Sequence, residues 1–180
     1  MITKSRIAII LSQLEGFYSP KVRVEQYTTD SEIASDWLWN AFQLGDIEGK
    51  TILDQGAGTG ILGIGALLLG AKKVLFVESE SSAIEVAKRN VQKAKELRPP
   101  EPPSPSESQK EEFYKGLVQD HLYTADVVIQ NPPFGTRDKG ADIAFLHKAF
   151  TSAPIVYSMH KTITRPHIEK VSTDSGFVIT

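Results

Sequence analysis

The stretch Thr51-Ile-Leu-Asp54-Gln-Gly56-Ala-Gly58-Thr-Gly60 restricts the fold of this chain more than any other. Three apolar or β-branched residues closed by an acid read as a short buried strand. The three alternate glycines then read as a tight turn, and Ile61-Leu62 begins a helical pattern that runs to Gly70. Val74-Leu75-Phe76-Val77-Glu78 reads as a second strand ending in a carboxylate, and residues 81–97 as a second helix. Strand and helix in alternation argue for an α/β fold, a parallel sheet with helices on both faces. Across 180 residues, 41% of them hydrophobic, one domain with one core is expected.

The flanks follow the same logic. Ile7, Ile10, Leu11 and Leu14 recur at helical spacing, predicting a helix from about 3 to 15 that ends at Gly16. Asp30 or Ser31 is placed to cap a helix carrying Ile33, Ala34, Trp37, Leu38, Ala41 and Phe42. After Leu97, five of the chain's ten prolines fall in a segment with almost nothing apolar, so residues 98–112 are expected to be an extended or flexible loop. That leaves about Gly116 to Val118 for the third strand. Ala125–Ile129 reads as a buried strand delivering Asn131 at its C-terminal end. A helix near 141–152, a strand at 155–158, a helix near 165–173 and a last strand at 177–180 complete the expectation.

The glycine turn carries a chemical implication. It lets backbone approach a ligand closely, and a helix starting near Thr59 points free N–H groups at an anion. Glu78, at the end of the next strand, stands where such folds hydrogen-bond a ribose. The run resembles the first motif of class I (Rossmann-like) S-adenosylmethionine-dependent methyltransferases, and Asp54, Gly56, Ala57, Gly58, Thr59 and Gly60 would then hold the amino-acid end of the cofactor. Gly58-Thr-Gly60-Ile-Leu-Gly63 also satisfies the fingerprint of nicotinamide dinucleotide sites. Against that alternative, Asp54 would face a pyrophosphate, and Gln55-Gly56 intervene between strand and pattern.

Asn131-Pro132-Pro133-Phe134 is the second motif. An asparagine carbonyl beside the carbonyl of a proline, which brings no N–H of its own, makes two neighbouring acceptors. They suit an NH₂ group whose lone pair is delocalised into a ring and which reacts only when held and turned toward an electrophile. Phe134 would stack on the ring. The plain alternative is a turn after a strand. Asp120 stands where it would face the adenine amino group of a cofactor, or form a surface turn.

The formal net charge is −2, without the basic excess usual in a free-standing nucleic-acid binder. Local basic groups remain: Lys21/Arg23, Arg137/Lys139 just after the amine-reading motif, and His160/Lys161 with Arg165, His167 and Lys170. Arg137, Lys139, His160 and Lys161 are the candidates for RNA phosphate contact, with a solvated surface as the alternative for each. There are no cysteines, which excludes disulfides and thiolate metal sites, and the four histidines lack metal-like spacing. With no membrane-length apolar run and no signal-peptide core, a soluble, cytoplasmic protein is expected.

With these residues placed, the chain resembles the methyltransferase-like 5 family of archaeal and eukaryotic small-subunit ribosomal RNA adenine-N6 methyltransferases over residues 1–98 and 113–180. The shared stretches are Leu14-Glu-Gly-Phe17, Val24-Glu-Gln-Tyr27 with Thr28-Thr29, Leu44-Gly-Asp-Ile-Glu-Gly49, Asn131-Pro-Pro-Phe-Gly-Thr-Arg137 and Val156-Tyr-Ser-Met-His160-Lys161. The resemblance implies that Gln26, Tyr27 and Thr28/Thr29 fold over the methionine end of S-adenosyl-L-methionine. It implies structured RNA as substrate and, as in eukaryotic members, a small zinc-binding activator protein as partner. Gln55 in place of an apolar residue, the missing proline after Tyr27, the proline-rich insertion and the lack of a C-terminal hairpin depart from the pattern. Methylation of a protein glutamine amide, or a non-catalytic cofactor-binding scaffold, stand as the other readings.

Overall fold

In the computed structural model of the chain, residues 2–18, 28–99, 109–133 and 140–180 are described. They form five strands and six helices. Helix α1 (Lys4–Ser12) is capped by Thr3, whose hydroxyl accepts from the Arg6 N–H at 3.3 Å. In α2 (Ser31–Gln43) one Asp30 carboxylate oxygen accepts from the N–H groups of Glu32 and Ile33. Strands β1 (Thr51–Gln55), β2 (Lys73–Glu78), β3 (Lys110–Lys115), β4 (Val127–Gln130) and β5 (Ile155–Ser158) alternate with α3 (Ile61–Leu68), α4 (Ser81–Leu97) and α5 (Ala141–Ser152). Helix α6 (Arg165–Asp174) follows.

All neighbouring strands are parallel, in the order β3-β2-β1-β4-β5. Parallel strands buried on both faces are largely apolar, as the central residues of β2 and β4 are, while β1 buries Asp54 and Gln55 at its C-terminal end. Side chains alternate across the sheet. Ile52, Val74, Phe76, Val127 and Ile129 meet Ile7, Leu11, Leu38, Ile64 and Val91 of α1–α4. Leu53, Leu75, Val77 and Val128 meet Val118, Ala149 and Ala153 on the other face. Close approach between layers is built in at Gly63, where a Cβ would stand 2.8 Å from Phe76 Cζ and 2.9 Å from an Asp54 carboxylate oxygen.

Three expectations are corrected. Helix α1 ends at Ser12, not near residue 15, and a turn leads from it to Glu15. The third strand is Lys110–Lys115 rather than Gly116–Val118, so the end of the stretch read as loop is a strand. It lies at the sheet edge with one side in solvent, which accounts for its charged composition. Phe113 still stacks on Phe76 with ring centroids 4.8 Å apart. Residues 177–180 carry no ladder; Phe177 instead stacks on Phe150 of α5 at 4.2 Å.

Candidate active site

The glycine turn crosses the C-terminal ends of β1 and β2. Gly56, Gly58 and Gly60 all have positive φ (69°, 55° and 87°), a backbone side chains rarely adopt. The N–H groups of Gly56 and Ala57 both donate to the Val77 carbonyl at 2.9 Å. Gly58 N–H donates to one Glu78 carboxylate oxygen at 2.9 Å, while the other accepts from Glu80 N–H at 2.9 Å and Ser79 Oγ at 3.2 Å. Glu78 therefore ties the turn to the start of α4. Asp54 sits beneath, 1% exposed, accepting the Gly63 N–H at 2.8 Å. Burial, aided by the nearby Glu78 charge and opposed by the Gly63 N–H, raises its pKa to about 7. Asp54 thus shapes the turn from inside. Thr59 is also buried.

The Gln55–Gln130 register places Asn131 one residue beyond the paired strands, beside Gly56. Its Nδ2 donates to Thr29 Oγ1 at 3.0 Å; its Oδ1 is shielded and accepts nothing among the described residues. Pro132 is buried and Pro133 half-buried. Phe134, Arg137 and Lys139 lie outside the described residues, as do Gln26 and Tyr27. Thr29 is the member of the expected lid that the structure brings to the site.

A second row of polar groups runs along the α5 face of the strand tips. Gln130 Nε2 donates to Ser158 Oγ at 2.9 Å, Ser158 Oγ lies 2.7 Å from His160 Nε2, and His160 Nδ1 is 3.9 Å from Asp142. Among the described residues, fully buried Gln55 has neither amide atom hydrogen-bonded, and Gln130 Oε1 is likewise without a partner. His160 is therefore turned inward, 10% exposed at its side chain, rather than standing on a solvent face with Lys161. Burial lowers its pKa, with the Asp142 charge working the other way. Asp120 is exposed on the turn Val118–Asp120 after β3.

Sequence reasoning named Leu14-Glu-Gly-Phe17 as a shared stretch but gave it no contact; the segment lies across the turn. The Phe17 ring approaches Gly58 so closely that a Cβ there would stand 3.0 Å from Phe17 Cζ, and one at Gly56 would stand 2.7 Å from Phe145 Cε1. Asn90 of α4 joins Glu15 to Thr59 by three hydrogen bonds. A signal existed: Asn90 falls in register with Ala83, Ala87 and Ala94 on the buried stripe of α4, where a polar residue needs internal partners. Among the described residues no acidic or histidine cluster could hold a metal, and no helix is long and apolar enough to cross a membrane.

Comparison with known proteins agrees with this geometry. Residues 31–172 match the family model described as Conserved hypothetical protein 95. The zebrafish (Danio rerio) protein named rRNA N(6)-adenosine-methyltransferase METTL5 is 37% identical over 91% of this chain and 77% of its own length. MJ0284, a protein of unassigned function from Methanocaldococcus jannaschii, is 34% identical over 100% of this chain and 81% of its own. The crystal structure of PH1948 from Pyrococcus horikoshii, described as a candidate RNA methyltransferase, superimposes with a TM-score of 0.87 at 45% identity, covering 100% of this chain and 83% of that one. The class I methyltransferase fold, the glycine turn, the strand-tip Asn-Pro-Pro and these similarities agree: the chain belongs to the METTL5 family of methyltransferases.

Proposed function

We propose that this enzyme uses S-adenosyl-L-methionine to methylate the exocyclic N6 of an adenine in structured RNA, namely small-subunit ribosomal RNA. The observation that carries the reading is the Asn131 amide. Thr29 holds its NH₂ end, leaving a carbonyl oxygen with no partner among the described residues beside the glycine turn. An unfilled buried acceptor costs free energy, about 1–3 kcal/mol, unless a ligand donates to it.

The residues present fit the cofactor. Glu78 offers a carboxylate at a strand tip for ribose hydroxyls, the Gly56–Gly60 turn brings backbone to the amino-acid end, and Thr29 stands beside it, with Gln26 and Tyr27 assigned to the same end by the family resemblance alone. Asp120 serves the adenine amino group. Glu78 sets a carboxylate at the mouth of the turn, which suits a cationic ligand. Bound there, S-adenosylmethionine supplies an electrophilic methyl carbon on a positive sulfur.

Asn131 Oδ1 and the Pro132 carbonyl accept the two N–H bonds of the amine and so orient its lone pair, while Phe134 stacks on a base extruded from its helix. No base is needed beforehand, because the nitrogen becomes acidic only after it gains the methyl group. Arg137, Lys139 and Lys161 contact phosphates. A small zinc-binding activator protein would pair with a sheet edge.

The test is Asn131→Ala. Methyl transfer should fall about 10²–10³-fold, as when a positioning hydrogen-bonding group is lost at a reacting centre, with cofactor affinity within about twofold. Nucleoside mass spectrometry of ribosomal RNA incubated with the protein should show N6-methyladenosine. Full activity of the variant, or methyl label appearing in proteins and not in RNA, would refute the reading.

A further inference from the structure

One fully buried, fully engaged polar side chain near the turn belongs to neither motif. Asn90 lies on α4, is fully shielded from solvent, and uses its whole carboxamide. Its Oδ1 accepts from Glu15 N–H at 2.7 Å, and its Nδ2 donates to Glu15 C=O at 2.9 Å and to Thr59 C=O at 3.0 Å. The first pair closes a ring on the backbone of a single residue, as a neighbouring strand would. The third bond reaches the backbone of the glycine turn itself.

The segment it grips runs over the site. Next to Glu15, Gly16 stands against Thr28, where a Cβ would be 3.3 Å from Oγ1. Phe17 then covers Gly58. Thr29, one residue past Thr28, holds Asn131. Arg89, beside Asn90 on α4, adds an ion pair to the Glu15 carboxylate at 3.0 Å, and Tyr18 donates to the same oxygen at 2.7 Å. Both sides of the N-terminal strap thus converge on the two motifs, and Asn90 is the group that bonds to strap and turn at once.

We infer that Asn90 is a positioning residue of the cofactor site, its carboxamide locking the Glu15–Tyr18 strap and the Gly58–Gly60 turn together so that both present one preformed surface to the cofactor. Preformed surfaces bind more tightly because less ordering is left to be done on binding. The inference rests on the cofactor site alone and is independent of which acceptor base is methylated.

Asn90→Asp is the informative variant, since it keeps shape and the oxygen facing Glu15 N–H but sets a second oxygen against the carbonyls of Glu15 and Thr59. Titration calorimetry should show S-adenosylmethionine binding weakened about tenfold, the scale of one lost hydrogen bond. Ile168→Ala, a cavity in α6 remote from the turn, should lower the melting temperature without moving that affinity. In the unmodified protein, the cofactor should slow amide hydrogen exchange at residues 14–18 together with 56–60. This measurement decides the matter even if the variant fails to fold. An Asn90→Asp affinity within twofold of the parent, or protection of 56–60 with none at 14–18, would overturn the inference. A parent protein that binds no cofactor would overturn the assignment of the cofactor itself.

Discussion

Burial sets the protonation of two residues at the strand tips, with opposite consequences for stability. Asp54 is raised from 3.8 to about 7. The folded state therefore prefers its neutral form, and the associated stability, complete below pH 3.8, is lost as pH rises to about 7. Asn in its place keeps an acceptor for Gly63 N–H and cannot ionise. Urea midpoints should then show Asp54→Asn gaining stability over the parent at pH 8 and losing that advantage at pH 4. His160 is lowered from 6.5. Its neutral form is favoured in the fold, so its contribution is present above pH 6.5 and is lost as pH falls below that value. His160→Gln should flatten the acid side of the same profile; an unchanged acid side would show that burial of the His160 ring does not contribute to the acid loss of stability. Gly63 makes a third, steric prediction. Its missing Cβ leaves room for Phe76 and Asp54, so Gly63→Ala should cost about 1–3 kcal/mol by overpacking, read from thermal unfolding.

At the scale of elements, the sheet edge is the informative part. Strand β3 pairs with β2 alone and alternates exposed Lys110, Glu112 and Lys115 with half-buried Glu111, Phe113 and Tyr114. Charges along an open edge discourage pairing with another chain. They also hide a strand from a reading that seeks apolar runs, and so the third strand was expected at Gly116–Val118. Phe113, stacked on Phe76, is its main anchor. Phe113→Ala should lower stability by about 2–4 kcal/mol in chemical denaturation, the range for a large aromatic that is partly buried. Residues 177–180 show the converse error. Phe177-Val-Ile-Thr has a strand's composition, but its aromatic packs on Phe150 and no edge takes up its backbone. Composition fixes whether a segment suits a strand; the neighbour to pair with is a property of the fold.

For the whole molecule, a net charge of −2 limits how RNA can be held. If Arg137, Lys139 and Lys161 provide the phosphate contacts, the logarithm of the RNA association constant should fall with that of salt at a slope of about −2 to −3. A much steeper slope would mean a larger basic surface than these three residues provide.

The alternation of strands and helices, the glycine turn, the carboxylate of Glu78 and the strand-tip Asn131 were all legible in the chain, because each depends on residues adjacent in sequence. Periodicity, φ preference and hydrogen bonding within a turn are local, and local rules are written in local residues. The strap was not legible. Glu15 and Asn90 are 75 residues apart, as are Thr29 and Asn131 by 102, and nothing in either partner announces the other. The inward turn of His160, the enclosure of Gln55 and the rise of Asp54 likewise follow from which groups are brought near and which waters are excluded. Those are decided only when the sheet, its helices and the N-terminal strap close on one another.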